Sequence, residues 1–169
     1  MIKATIILED GRKINLELDE KAAPITVKNF CDLANKNFYD GLIFHRVIDH
    51  FMIQGGGYYI DDMTLCDKRA NTIKGEFKSN GVDNPLKHTD GVISMARTNV
   101  KDSASSQFFI CVADTPHLDG EYAAFGKVSD QESLDVCHQI GKSQTVNIGY
   151  GMSDFPAEVI MIKTIKIEG

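Results

Sequence analysis

The chain has 169 residues, which is enough for one domain with its own hydrophobic core, and we expect a single domain over 1–169. With 43% hydrophobic and 25% charged residues and no low-complexity tract, it is typical of a folded protein rather than a disordered one. A net charge of −6 argues against nucleic acid as a partner, because such binding needs a basic surface. No apolar run approaches the roughly 18 residues of a membrane span, so we expect no membrane contact either.

The first residues, MIKATIILEDG, lack the charged region, apolar run and cleavage site of a secretory signal, and they are typical of a first β-strand. We therefore expect a cytoplasmic location. The four cysteines lie far apart and form no CxxC pair, so neither a disulfide framework nor a zinc knuckle is predicted. Cys31, Cys111 and Cys137 lie among apolar residues and should be buried, whereas Cys66 lies in a polar loop segment and is predicted to carry an exposed thiol.

The first elements are a hairpin and a helix. Two β-prone runs, 2–8 and 13–18, flank an Asp-Gly pair, and Gly11 accepts the positive φ that a tight hairpin turn needs. A helix is predicted over 24–36, with Pro24 in the first turn, where its missing N–H costs nothing. Its apolar face has helical spacing and consists of Val27, Phe30, Cys31 and Ala34.

The segment FHRVIDHFMIQGG, residues 44–56, is too short and too broken for an amphipathic helix and predicts two short strands joined by a turn near Asp49. Strand alternation puts Met52 and Gln54 on one face of the second strand. With Arg46 nearby, that face combines apolar area with a few directional donors. Such a mixture is typical of a binding floor for a peptide.

Residues 57–91 show no sustained period and predict a long loop, with a short strand around 74–78. Three short β-rich runs bounded by Gly, Asp or Pro follow at 92–96, 106–112 and 123–128.

A second helix is predicted to begin near Ser129 and Asp130, whose side chains can cap exposed N–H groups, and to stop at Gly141. Its apolar face would contain Leu134, Cys137, His138 and Ile140. A last strand is predicted over 158–167. Short sequential strands with two helices pack most economically as a closed antiparallel β-barrel, mainly β in class, with one helix capping each end.

Three later segments also carry candidate site residues. In SSQFFICV, strand alternation puts Gln107 and Phe109 on one face and Phe108 on the other, which repeats the amide and apolar pairing of the earlier strand. The segment 115–122 is predicted to be a turn or a single helical turn that presents Leu118 and Tyr122. At 94–98, a strand is predicted to leave the sheet.

Four segments, FHRVIDHFMIQGG, SMART, SSQFFICV and HLDGEYAAFGKV, resemble the signature segments of the cyclophilin family of peptidyl-prolyl cis–trans isomerases, in the family's order. The similarity extends from about Ile2 to Ile167. It implies an eight-stranded antiparallel barrel closed by two helices, and an isomerase of the small bacterial type that assists protein folding without a cofactor. The implied partners are proline-containing peptides and unfolded chains. We expect a monomer, because a single domain without an extra apolar helix needs no partner.

The resemblance also implies roles for individual residues. Arg46 would be the catalytic arginine. The pocket for the proline ring would consist of Phe51, Met52, Phe109 and Leu118. The groove that binds the peptide backbone would be lined by Gln54, Ala96, Arg97 and Gln107.

Three positions depart from the family pattern. Tyr122 stands where many members have histidine, and its phenol can still donate a hydrogen bond. His117 stands where cyclosporin-sensitive members have tryptophan, so cyclosporin binding is expected to be weak. Arg97 replaces a smaller polar residue and would add a donor or a charge preference to the groove.

The chemistry explains why these residue types suffice. Rotation about an X–Pro bond must break a partial double bond, with a barrier of roughly 18–20 kcal/mol. No bond to a heavy atom forms or breaks, so the reaction needs no nucleophile, metal or cofactor. Twisting returns the lone pair to the prolyl nitrogen, and a guanidinium such as that of Arg46 stabilises this state more than the planar one.

The same residues allow other interpretations. On its local sequence alone, Arg46 is better explained by a structural salt bridge, and only the four segments together favour a catalytic role. The run Gly55–Gly57 is not followed by the Lys-Ser/Thr of a phosphate loop, so tight packing or a turn is favoured, and the five histidines show no metal-binding spacing. A peptide-binding module or chaperone with incidental turnover is the competing function, and the presence of Arg46 favours the enzyme.

Overall fold

The computed structural model describes residues 1–168 and is mainly β. The strands are β1 (Ile2–Leu8), β2 (Lys13–Leu18), β3 (Phe44–Ile48), β4 (Met52–Gly55), β5 (Tyr58–Asp61), β6 (Thr64–Asp67), β7 (Val92–Met95), β8 (Phe108–Cys111), β9 (Ala124–Val128), β10 (Thr145–Val146), β11 (Phe155–Pro156) and β12 (Ile162–Glu168). The α-helices are α1 (Pro24–Asn35) and α2 (Gln131–Gly141), and short 3-10 turns lie at Lys78–Asn80 and Pro116–Leu118. Neither α-helix of this described region has the length and hydropathy to cross a bilayer.

Eight strands form one antiparallel sheet in the order β12-β1-β2-β9-β7-β8-β4-β3, which curls around the main core. The prediction of eight strands is confirmed, but "closed" overstates the barrel. The edge strands β3 and β12 do not pair along their length; they meet at one isolated bridge between Ile43 and Met161. Two flanking backbone bonds, from Phe44 N to Ile160 O (3.0 Å) and from Ile162 N to Leu42 O (2.8 Å), complete the join.

Both predicted helices are present and pack on the sheet. In α1, the predicted apolar face is buried, and the helix ends at Asn35, one residue earlier than expected. In α2, the predicted cap is confirmed because the Asp130 side chain accepts a hydrogen bond from Ser133 N at 2.7 Å. Gly141 is the last residue of the helix and does not end it in a left-handed conformation. The buried face contains Val136, whereas the predicted Leu134 is only half-buried.

The predicted loop 57–91 was partly wrong. Strands β5 and β6 form a hairpin there, so Cys66 lies on a strand, half-buried, rather than in a loop. Its turn residues Asp62 and Met63 have φ of 48° and 62°, the geometry usually given by Asn-Gly, so the sequence lacks the usual hairpin signal. No strand forms at 74–78. Side chains take up backbone hydrogen bonds there, as where Gly75 N donates to Asp102 Oδ1 at 2.9 Å. The last strand begins at Ile162 rather than at residue 158.

Candidate active site

A second apolar cluster lies on the outer face of the sheet, apart from the main core. Its buried members are Met52, Phe109, Cys111 and Leu118. Strands β4 and β8 pair so that Gln54 lies opposite Phe109. The alternate residues of the same strands, Ile53, Phe108 and Ile110, belong to the main core. The predicted division of side chains between the two faces is therefore confirmed.

This cluster forms the floor of an open cavity of about 180 Å³. Nine of the eleven predicted site residues line it: Arg46, Phe51, Met52, Gln54, Ala96, Arg97, Phe109, Leu118 and Tyr122. The remaining two lie beside it. Gln107 accepts a hydrogen bond from Gln54 Nε2 at 3.0 Å, and the exposed His117 has its ring 5.7 Å from that of Phe51. The structure thus brings together residues that span more than 70 positions of the chain.

Arg46 is the exposed cation at the rim of this cavity. None of the ion pairs within residues 1–168 includes it, so the salt-bridge interpretation has no support there. Its Nη1 donates to Gln54 Oε1 at 3.5 Å, a neutral acceptor. The guanidinium is therefore held by a neutral partner while it lies at the edge of an apolar floor.

Arg97 has a different environment from the free groove donor that was expected. Its Nε and Nη2 donate to the Glu121 carbonyl at 2.9 and 2.7 Å, and its Nη1 donates to the Thr98 carbonyl at 2.9 Å. The guanidinium also lies over the rings of Phe77 and Tyr122, at 4.7 and 4.9 Å from their centroids. Most of its donors are thus engaged within the protein, and its contacts hold the Tyr122 wall of the cavity.

Behind the floor lies a hydrogen-bonded chain that sequence reasoning missed. His88 is buried, with Nδ1 3.1 Å from Asp119 Oδ1 and Nε2 2.9 Å from Ser94 Oγ. Its ring stacks on Phe109 at 5.9 Å. Burial lowers the pKa of His88, although Asp119 opposes the shift, so the ring is neutral near pH 7, with Nδ1 donating to the carboxylate. These residues lie in separate segments without a shared motif, and only the tertiary structure shows that they are connected.

The glycine run that ends β4 and follows it packs tightly, as predicted. A Cβ on Gly55 would lie 2.8 Å from the Ile43 carbonyl oxygen, and one on Gly57 would collide with the Gln107 side chain. The absence of side chains here lets Gln107 approach Gln54. Cys111, in the same cluster, has its pKa raised by burial to about 11, which makes it an inert apolar contact. Within residues 1–168, no group of three or more His, Cys, Asp or Glu side chains is placed to hold a metal ion.

A curled antiparallel sheet that carries, on its outer face, an apolar cavity with a cation at its rim defines the class of prolyl isomerases with a β-barrel fold. The comparisons with known proteins identify the family. The model of the cyclophilin type peptidyl-prolyl cis-trans isomerase family matches residues 4–167, and the chain belongs to this family.

Several named relatives support this assignment. Peptidyl-prolyl cis-trans isomerase A of Dickeya dadantii is 46% identical over 168 residues, which cover 96% of this chain and 83% of the relative. Peptidyl-prolyl cis-trans isomerase B of Bacillus subtilis is 48% identical over 73% of this chain and 80% of its own length. A crystal structure of a Cryptosporidium parvum cyclophilin type isomerase, in the presence of the dipeptide Ala-Pro, superposes with a TM-score of 0.77 at 29% identity, covering 99% of both chains. The predicted fold class and enzyme class are confirmed.

Proposed function

We propose that this isomerase binds the proline ring of its substrate in the outer cavity and uses Arg46 as the catalytic residue. The observation that carries the proposal is the position of Arg46, exposed at the rim of an apolar cavity and hydrogen-bonded to a neutral amide. A cation whose purpose was structural would be paired with a carboxylate, and none of the ion pairs in the described part of the chain involves it.

The apolar floor anchors the ring. Met52, Phe109 and Leu118 are nearly fully buried before any ligand arrives, so the floor is formed in advance and little ordering is needed on binding. Phe51, which is half-buried, forms one wall. A prolyl ring in contact with these side chains is held in place while the acyl part of the peptide turns.

Arg46 stabilises the twisted amide. In the transition state, conjugation is lost and the prolyl nitrogen becomes a hydrogen-bond acceptor, which it is not in the planar ground state. A guanidinium donor at this nitrogen favours the twisted state selectively, as rate enhancement requires. A reduction of the barrier by about 5–7 kcal/mol corresponds to roughly 10⁴–10⁵-fold acceleration.

The polar wall of the cavity suits a peptide backbone. Gln54 and Gln107 are half-buried and hydrogen-bonded to each other, which leaves further amide donors and acceptors facing the cavity. Gln54, Ala96 and the edge of Arg97 line the cavity, and Gln107 lies beside them, which together suits an extended chain. The Ala-Pro dipeptide named with the Cryptosporidium structure supports a proline-containing peptide as ligand.

We also propose that the protein acts as a cytoplasmic monomer on unfolded proline-containing chains and binds cyclosporin weakly. Three of its four free cysteines are buried, which suits a reducing compartment. His117, where cyclosporin-sensitive members have tryptophan, presents a smaller ring beside Phe51.

A protease-coupled proline isomerisation assay tests the catalytic proposal. We expect Arg46→Ala to lower kcat/KM by about 10²-fold or more, as loss of one transition-state donor does, with a smaller effect on peptide affinity. Arg46→Lys is the matched control, because it keeps the charge but loses the planar donor geometry, and its activity should lie in between. No acceleration by the wild type would favour the peptide-binding module instead, and wild-type activity in Arg46→Ala would exclude the arginine mechanism.

A further inference from the structure

A second apolar groove lies between two hairpin tips, away from the proline cavity. On one side it is lined by Tyr58, Met63 and Leu65 of the β5–β6 hairpin, and on the other by Ile148, Tyr150 and Met152 of the segment that joins β10 to β11. We call this the hairpin groove. Its volume is about 610 Å³, more than three times that of the proline cavity.

The two tips hold large apolar side chains out in water. Met63 is 98% exposed and Tyr150 is 97% exposed. Both have positive φ, 62° and 56°, a conformation that costs an ordinary L residue roughly 1 kcal/mol. Neither side chain gains packing within the chain in return. Exposed apolar side chains that border a groove are the usual mark of an interaction surface.

The hairpin groove is continuous with the proline cavity. A third depression, of about 210 Å³, lies between them and is lined by Arg46 at one end and by Tyr150 and Met152 at the other. His45, on the same strand as Arg46, also lines it and packs its ring against Tyr58 at 4.6 Å. Each end of this connecting depression therefore shares residues with the cavity next to it.

The connecting depression is polar, unlike the groove that it leads to. Asp154 and Ser153 line it beside the cation of Arg46. The His45 side chain is more than nine-tenths buried, and its Nδ1 has no hydrogen-bond partner within residues 1–168. A peptide backbone crossing this depression would meet donors and acceptors, and an apolar side chain further along would reach the hairpin groove.

We propose that the hairpin groove is a second binding surface for the same unfolded polypeptide whose proline lies at Arg46. It takes an apolar side chain several residues away from the proline, so that the preferred substrate is an extended apolar segment rather than a bare X–Pro pair. This inference depends on the proposed function, because the proline cavity must hold the other part of the chain. Its contribution is to affinity and not to the rotation step.

The test compares a short and a long substrate. A proline tetrapeptide spans at most about 14 Å when extended and occupies the proline cavity alone. A reduced, unfolded protein whose refolding is limited by proline isomerisation can fill both surfaces. In the double variant Met63→Ser and Tyr150→Ser, we expect tetrapeptide kcat/KM within about twofold of wild type, and KM for the unfolded protein raised roughly tenfold. Val159→Ser is the matched control, since Val159 is 49% exposed and lies outside the groove, and it should match wild type with both substrates.

An unchanged KM of the double variant for the unfolded protein would overturn the proposal. So would a wild-type dimer in sedimentation that the double variant abolishes, because the groove would then join two copies. If the wild type does not turn over the tetrapeptide at all, the proposed function itself is wrong. NMR measures binding separately from turnover. The unfolded protein should shift the amide signals of residues 58–65 and 148–155, and the tetrapeptide should not. The absence of a shift with the unfolded protein would overturn the inference.

Discussion

Arg46 Nη1 donates a hydrogen bond to Gln54 Oε1 at 3.5 Å, and the two residues face each other on the paired strands β3 and β4. Gln54 is fixed in turn because its Nε2 donates to Gln107 Oε1 at 3.0 Å. The amide orients the guanidinium without neutralising it, which a carboxylate could not do. The chain of two amides therefore preserves the charge that the twisted prolyl bond needs.

This relationship predicts that a charge at position 54 lowers activity more than truncation does. Gln54→Glu would pair its carboxylate with Arg46 and partly neutralise it, and we expect kcat/KM for a tetrapeptide to fall by about 30-fold or more. Gln54→Ala removes the support but leaves the charge, and a fall of roughly tenfold or less is expected. Equal activity of Gln54→Glu and wild type would show that the charge of Arg46 is not what drives the rotation.

The division of side chains between the two faces of the sheet could be predicted from the sequence, and the way the sheet closes could not. Alternation along single strands separates Met52 from Ile53 and Phe109 from Phe108, because that pattern is local. The contact between the edge strands is a single bridge, which depends on how the whole sheet curls.

Long-range polar contacts were equally invisible in the sequence. His88, Asp119 and Ser94 form their chain only after three segments are folded together. Arg97 lines the cavity, but its guanidinium donates to the carbonyls of Glu121 and Thr98, so its donors are not free for a ligand. Side-chain direction of this kind is set by partners that no local pattern encodes.

A buried glutamate provides the N-terminal cap of α1. Ala23 at the cap position offers no side-chain acceptor, and Glu76 Oε1 instead accepts hydrogen bonds from Thr26 N at 2.6 Å and Thr26 Oγ1 at 2.7 Å. Glu76 is 3% exposed and also lies at the positive end of the helix dipole. The contact ties the loop before the Lys78–Asn80 turn to the helix.

We expect Glu76→Ala to reduce the free energy of unfolding by about 2–3 kcal/mol, because two buried donors lose their acceptor. Glu76→Gln keeps an oxygen acceptor without the charge and should lose roughly 1 kcal/mol. Thr26→Val removes only the hydroxyl bond and should also lose about 1 kcal/mol. Urea denaturation followed by circular dichroism measures all three, and a Glu76→Ala variant as stable as Glu76→Gln would contradict the capping role.

Buried histidines predict a loss of stability at mildly acid pH. Burial, with a smaller effect of Arg46, lowers the pKa of His45 from 6.5 to about 4, and burial also lowers that of His88. Between these values the unfolded chain binds the proton and the folded chain does not, so stability is complete above pH 6.5 and falls as the pH decreases toward 4. For His45 alone the loss between about pH 7 and pH 4.5 is about 2–3 kcal/mol.

His45→Phe is the matched variant for this prediction. It keeps an aromatic ring against Tyr58, removes the titrating group and removes the unpartnered Nδ1. Its free energy of unfolding should therefore change less over the same pH range, with the remaining slope due to His88. Carboxylates with lowered pKa, such as those of Asp102 and Glu20, act near and below their usual values of 3.8 and 4.5, and they contribute equally to the wild type and the variant. Equal slopes in wild type and His45→Phe would show that folding does not lower the pKa of His45.

The ring at position 117 is predicted to control cyclosporin affinity. His117 is exposed, and its ring lies 5.7 Å from that of Phe51 at an angle of 33°, so it extends the apolar wall of the cavity only slightly. His117→Trp places a larger apolar surface and an indole N–H donor at the same rim. We expect it to strengthen inhibition by cyclosporin by roughly tenfold or more, which corresponds to about 1.4 kcal/mol, while kcat/KM for a tetrapeptide changes by less than about threefold.

His117→Phe is the matched control, since it adds apolar area without the donor and should give a smaller gain. Inhibition titrations in the isomerase assay compare the three proteins, and an unchanged inhibition constant in His117→Trp would place the determinant of cyclosporin affinity elsewhere in the cavity.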